Sequence, residues 1–462
     1  MKVRVIGGGL AGPEAALTAA RLGCEVELYE MRAVIHGEAR LTPAHQTIEF
    51  GELVCSNSLK SESPNTAPWL LKQEMRRAGS VLLQIADQTA VPAGHALAVD
   101  RVEFSRGIAA AIAAEARIRV VREEVTQLNP PSGDQDAALT ILATGPLTSD
   151  ALSRELARLT GAEHLAFYDS ISPIVDAETI DMDRVYFAAR WDKGTADYIN
   201  CPMNRDEYDC FLDALIAAEA AEVKEWEKLE YFEGCLPIEI LARRGRDTLR
   251  FGPMKPVGLR DPRTGQTPWA VVQLRKENVR ADSYNLVGFQ NHLKFGEQAK
   301  VLRLIPGLEK ATFLRFGQIH RNTYLCAPAV LDETLRLKEH PWLMIAGQLS
   351  GVEGYTESIA SGLLAGLYAG QLARGEEITP APRACGLGSM VNAITQAEIK
   401  RFQPTNITFD LLEPLDEAVR KKVRDKKERH RMQCEHALEA FEGWLKQICP
   451  SETRQQNTVG TE

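Results

Sequence analysis

The segment that most constrains what this chain can fold into is VRVIGGGLAGPEAALTAARLGCEVELYEMR, which begins at Val3. Val3, Val5 and Ile6 read as a short buried strand. Gly7, Gly9 and Gly12 follow with GxGxxG spacing, PEAALTAARLG continues as a helix, and EVELYE is a second strand ending at Glu30. Gly7 makes the turn, Gly9 lets the backbone approach a pyrophosphate, and Gly12 lets helix and strand come close. The helix N-terminus faces the phosphates, and Glu30 stands where an acid takes a pair of ribose hydroxyls. A lone glycine motif would carry little weight; strand, glycines, helix and acid in this order predict a βαβ unit with a dinucleotide in its crevice. Gly8, Leu10, Ala11 and Arg32 complete the expected contact set. Glu14, one turn into the helix, is expected either to hold a second sugar or to favour the helix dipole.

Two later segments return to the same architecture. ALTILATGP, residues 138 to 146, is a strand ending in a turn at Gly145. PWLMIAGQLSGVEGYTESIASGLLAGLYAGQLARG, residues 341 to 375, repeats strand, glycine turn and small-residue helix, with the helix expected to begin between Gly354 and Glu357. A helix N-terminus aimed at an isoalloxazine ring favours negative charge on reduced flavin, so the paired glycine turns point to FAD rather than NAD. Gly347, Gln348, Gly351, Val352, Gly354 and Tyr355 are the candidate contacts from this second turn.

The fold class that follows is α/β, an FAD-binding Rossmann-like domain of the glutathione-reductase type, discontinuous, with an inserted α+β domain. At 462 residues the chain divides into two or three domains. The first part of the FAD domain is placed at 1–170 and the insertion, richer in aromatics and short alternating strands, at 171–332. The second part with basic C-terminal helices is placed at 333–445, and a flexible tail at 446–462. No apolar run approaches the roughly 18 residues of a membrane span, and MKVRVIGGGL has no signal-peptide pattern, so a cytoplasmic protein is expected. Nine cysteines without a CxxC pair suggest reduced thiols and no metal site. The net charge of -9 argues against nucleic acid, but RKKVRDKKERHR (420 to 431), ARRGRDTLRFGPMKP and QLRKENVR are dense local basic clusters.

Two cysteines stand in unusual settings. Cys55 lies in GELVCSNSLKS, with polar neighbours on its C-terminal side, at a strand or turn end running into a loop. Cys235 lies in YFEGCLPIEILARRGR, between Gly234 and Pro237 and ahead of Arg243, Arg244 and Arg246, whose positive charge favours thiolate. A flavin beside an activated thiolate suits one-carbon transfer to carbon 5 of uracil. A thiolate adds at carbon 6 and makes carbon 5 an enolate nucleophile, a base removes the carbon 5 hydrogen, and flavin supplies the reduction of methylene to methyl.

VIGGGLAGPEAA, ELVCSNSLKS, EGCLPIE, GPMKPVGL, VGFQNHLKFGEQ and AGQLSGVEGYTESIASG together resemble the folate- and FAD-dependent tRNA (uracil-5-)-methyltransferase family, from Met1 to about residue 445. The resemblance implies methylenetetrahydrofolate as carbon donor, FAD as cofactor, NADH or NADPH as reductant and the T-loop uridine of tRNA as target. It maps the family's catalytic cysteines onto Cys55 and Cys235, with Cys235 the favoured nucleophile. His292 could stack on a pterin whose edge Asn291, Gln290 or Glu297 would bond, and Lys294 could meet the folate tail or a tRNA phosphate. Arg243 and Arg246 are expected on the RNA. Tyr284, Tyr355, Glu357 and Lys294 are all candidates for the base. The competing readings are the larger FAD-dependent tRNA wobble-uridine enzyme, a small-molecule flavin oxidoreductase with ordinary thiols, and a non-catalytic FAD-binding interaction protein.

Overall fold

The computed structural model describes residues 1–133, 138–161, 165–170, 172–220, 236–317 and 319–449. A five-stranded sheet has Lys2–Ile6 at its centre, between Leu139–Leu142 and Glu25–Tyr29, with Leu343–Ile345 and Ile118–Val121 at the edges. Every pairing in it is parallel, and Val3 and Val5 pair with Val26 and Leu28. Leu139–Leu142 and Leu343–Ile345 are buried throughout, as a sheet covered on both faces requires.

The two distant glycine segments meet because their helices pack almost backbone to backbone. In the helix Tyr355–Ala373, glycines recur every fourth residue at 362, 366 and 370, which puts them on one ridge. A Cβ on Gly362 would lie 2.3 Å from the Ala11 carbonyl oxygen, and one on Gly366 would lie 2.6 Å from Thr18 Cβ. Only glycine permits this approach to the helix Ala11–Arg21, whose residues from Ala11 to Ala20 are all buried. Glu14 stands in the first turn of this helix, as expected, but it is fully buried and accepts the N–H groups of Val81 and Leu82, capping a later helix, Val81–Gln88.

A second sheet is six-stranded and antiparallel, in the order Tyr186–Ala188, Tyr198–Met203, Ala270–Lys276, Ser283–Leu286, Ile174–Asp176, Phe313–Arg315. It packs its own apolar core, drawn from residues between Val175 and Ala311, with the Phe211 and Phe289 rings 6.1 Å apart. The chain leaves and re-enters the first region through one antiparallel pair, Leu165–Ser170 against Ile319–Tyr324.

The basic run near the C-terminus is broken in two. Glu417–Lys422 forms a short helix, and Asp425 then caps a second, Lys426–Ile448, by accepting the Lys427 N–H. That helix buries Cys434, Ala437, Phe441, Trp444, Leu445 and Ile448. It therefore extends three residues into the segment expected as a tail, and Arg374 fastens its end by donating to the Ile448 carbonyl at 2.7 Å. The rest of that tail, from 450, lies outside the described residues, as do residues 221–235 of the insertion. Among the described residues no helix is long and apolar enough to cross a membrane.

Candidate functional site

Both glycine turns open onto one cavity of about 340 Å³. Gly7, Gly8, Gly9, Leu10 and Ala11 line it from the first turn, joined by Glu30 and Arg32 at the end of the second strand. Gly145 and, from the later segment, Gly347, Gln348, Gly354 and Tyr355 line it too, and Cys55, Ser56 and Lys60 share the same wall system.

The local chemistry fits a dinucleotide. Gly7 has φ of +117°, and a Cβ there would stand 2.3 Å from the Ala143 carbonyl. A Cβ on Gly9 would meet nothing within 4 Å, so this glycine borders open space. Glu30 is buried, with Oε2 accepting the Gly8 N–H at 2.7 Å and Oε1 accepting the Arg32 N–H at 2.8 Å. The helices starting after Leu10 and after Gly354 have no side-chain cap, which leaves N–H groups at two positive helix ends beside one cavity.

Three of the expected cofactor residues do not line the cavity. Gly12 has the packing role expected of it: its Cα faces the Gly7 carbonyl so closely that a Cβ would lie 1.8 Å from that oxygen. Gly351 closes a turn at φ +92° against the Phe402 ring, and Val352 is fully buried and bridges to Thr405. Both support the turn from behind.

Cys55 is half-buried in the loop before the strand Ser58–Ser61. Its backbone N–H donates to Tyr355 Oη at 2.7 Å, and that of Ser56 donates to the same oxygen at 3.2 Å. Burial pushes the Tyr355 phenol well above its ordinary range, so it keeps its proton at neutral pH. Cys235 lies outside the described residues. Three residues on, the Ile238 N–H donates to the Gln290 carbonyl at 2.8 Å, and Gln290 itself lines the cavity.

The remaining substrate candidates do not line this cavity. Asn291 is buried and spends its amide on the Phe289 carbonyl and the Leu293 N–H. His292 is buried, and its backbone N–H donates to Glu239. Lys294 is exposed and pairs with Glu219 at 2.6 Å. Arg243 is exposed at the end of a short helix, and Arg246 is held by Asp209 and Asp213. Among the proposed bases, Tyr284 is buried in the second core, and Glu357 is fully buried and paired with Lys60 at 2.6 Å. Only Tyr355 of the four borders the cavity.

Sequence reasoning missed Lys60, Arg101 and Arg275. Lys60 has φ of +64° at an irregular strand pairing, and such a kink re-aims a side chain, here toward Glu357. Arg275, read as part of a surface basic cluster, is buried and donates to Ser56 Oγ at 2.7 Å.

The family model described as Glucose inhibited division protein A matches residues 2–377. A Koribacter versatilis protein named methylenetetrahydrofolate--tRNA-(uracil-5-)-methyltransferase TrmFO is 68% identical over 445 residues, covering 96% of this chain and 98% of its own. A Solibacter usitatus protein of the same name is 58% identical over 446 residues, 95% of this chain and 98% of its own. The crystal structure of Aquifex aeolicus GidA superposes with TM-score 0.68 at 16% identity, covering 98% of this chain and 75% of that one, which shows a shared fold. The chain therefore belongs to the glucose-inhibited division protein A family and, within it, to the group named methylenetetrahydrofolate--tRNA-(uracil-5-)-methyltransferase TrmFO.

Proposed function

We propose that this chain is an FAD enzyme that methylates carbon 5 of the T-loop uridine of tRNA, with methylenetetrahydrofolate as carbon donor and NADH or NADPH as reductant. The observation that carries the reading is that Cys55 borders the same cavity as both glycine turns. The names of the nearly full-length relatives support the reaction class. The domain division proposed is the one read from the sequence, with the last helix included through Ile448.

Gly7 to Ala11, Glu30, Arg32 and Gly145 would hold one part of FAD, and Gly347, Gln348, Gly354 and Tyr355 another. When bound, FAD supplies the two-electron reduction that turns a methylene into a methyl group. Cys235 adds as thiolate to carbon 6 of uracil, forming an S–C bond and moving an electron pair to carbon 5. Once the one-carbon unit is on carbon 5, a base takes the proton there and the sulfur leaves carbon 6. Cys55 works from the cavity wall, where Tyr355 fixes its backbone. The target base leaves its stack to reach this wall, and the exposed basic residues from Arg420 to Lys427 hold tRNA phosphates.

The test incubates the enzyme with methylene-labelled methylenetetrahydrofolate, NADPH and unmodified tRNA transcript. Label on uracil carbon 5 is expected, and tRNA without label would end the proposal.

A further inference from the structure

The loop carrying Cys55 is gripped by cationic residues, one from a helix of the first region and two from the six-stranded sheet. Arg101, first residue of the helix Arg101–Ala114, donates to the Leu53 carbonyl at 2.6 Å and pairs with Glu277. Arg275, in the strand Ala270–Lys276, donates to Ser56 Oγ, and the Asn57 side-chain amide donates to the Lys276 carbonyl at 2.9 Å. Arg315 donates to the carbonyl of Ala44, which packs with Val54 and Cys55. The loop is thus fastened at Leu53, Ser56 and Asn57, with the sulfur between the fastenings.

Charge around the sulfur is unbalanced. Glu277 is the carboxylate that pairs with Arg101, and Glu52, on the loop itself, is taken by Arg32. Among the described residues neither Arg275 nor Arg315 forms an ion pair, and Arg275, 8% exposed, keeps a buried Nε without a hydrogen-bond partner. Burial lowers the pKa of both guanidiniums and outweighs the pull of Glu277 on Arg275 and of Glu52 on Arg315, the mark of charge only partly compensated. Guanidiniums do not shed their protons at any working pH, so the region is stabilised by acquiring an anion. Arg101 and Arg315 lie close enough to the Cys55 sulfur to interact with it electrostatically. On the same cavity wall, Tyr355 is neutral, His45 bonds Thr42, and Lys60 is paired with Glu357.

We propose that Arg101, Arg275 and Arg315 are positioning residues for Cys55, fixing its loop between a helix of the first region and the six-stranded sheet and holding its sulfur as a thiolate at neutral pH. The proton goes to solvent and the charge remains on Sγ. This deepens the proposed function and rests on Cys55 taking part in that reaction.

The test is alkylation of the intact flavoprotein by iodoacetamide, which forms an S–C bond and releases iodide, followed across pH on the Cys55 peptide by mass spectrometry. Cys210, exposed on the helix Arg205–Ala217, serves as internal control. Wild-type Cys55 should show a midpoint at least about one unit below the ordinary thiol value of ~8.5. Arg275→Met and Arg315→Met should each raise it by about half a unit or more and slow alkylation at pH 7 by about threefold, while Arg275→Lys keeps the wild-type midpoint. Arg315 donates its hydrogen bond to a backbone carbonyl and to no side chain of the loop, so its variant carries the test if a change at Arg275 disturbs folding. An ordinary wild-type midpoint, or methionine variants that leave it in place, overturns the role of the arginines whatever the activity. Full tRNA methylation by Cys55→Ser overturns the reading beneath it whatever the midpoint.

Discussion

Gly9 and Gly12 lie three residues apart in one motif, yet the structure gives them opposite jobs, and alanine separates the two. At Gly12 the new Cβ would lie 1.8 Å from the Gly7 carbonyl oxygen and 2.9 Å from its carbon. Real side-chain carbons keep at least 3.0 Å, so helix and strand would have to part by about 1.2 Å, against backbone that cannot rotate away. Overpacking of this kind costs about 1–3 kcal/mol or more. At Gly9 the Cβ meets no atom within 4 Å and the residue has no left-handed φ, so the apoprotein should lose nothing and gain up to about 1 kcal/mol from reduced unfolded-state entropy. The same methyl group projects into the space proposed for the pyrophosphate. Gly9→Ala should therefore weaken FAD binding at least tenfold, about 1.4 kcal/mol, with undiminished apoprotein stability. Gly12→Ala should be less stable even without cofactor. Urea unfolding of both apoproteins and flavin fluorescence titration read the two effects separately. Wild-type FAD affinity in Gly9→Ala would refute the assignment of this turn to the cofactor.

Three further outcomes follow from buried charge and surface charge. Glu74 is buried and accepts the N–H groups of Gly386 and Leu387, yet burial outweighs those bonds and pushes its carboxyl up to about 8. A raised folded-state pKa contributes stability that is complete below pH ~4.5 and is lost as pH rises through about 8, so Glu74→Gln should gain on wild type in urea unfolding at pH 9 relative to pH 5. Lys60→Met would strand the fully buried Glu357 and should cost about 3 kcal/mol, the low end for a broken buried pair because Lys60 is 29% exposed; adding Glu357→Gln should restore part of that stability. Binding of tRNA should fall steeply with salt, and replacing Arg424, Lys426 and Lys427, exposed and without ion pairs among the described residues, by alanine should flatten the log–log slope by about 0.9 per lost phosphate contact.

What was legible in the sequence was local. Val3 to Glu30 carries strand, turn, helix and acid within one stretch, and the helix start at Gly354 was marked by its own glycine. Partnerships over long sequence separations left no such trace. Nothing in PEAALTAARLG says that Glu14 caps a helix 67 residues on, and nothing in QLRKENVR distinguishes Arg275, buried beside Ser56, from a solvated neighbour. Asn291 and Arg246 had the right chemistry for a ligand, but local backbone and two aspartates already occupy them. The break in the C-terminal basic helix turns on one capping aspartate, Asp425, in a run whose composition favours helix throughout.

The central claim is that a cysteine of this chain becomes bonded to the pyrimidine. It is met most directly with tRNA carrying 5-fluorouridine in the T-loop, because fluorine at carbon 5 cannot leave as a proton does and the sulfur is trapped on carbon 6. With methylenetetrahydrofolate and reduced flavin present, a protein–RNA species that survives denaturing electrophoresis and maps to the Cys235 peptide is expected. Quantitative turnover with no such species, or an undiminished yield from Cys235→Ala, would contradict it.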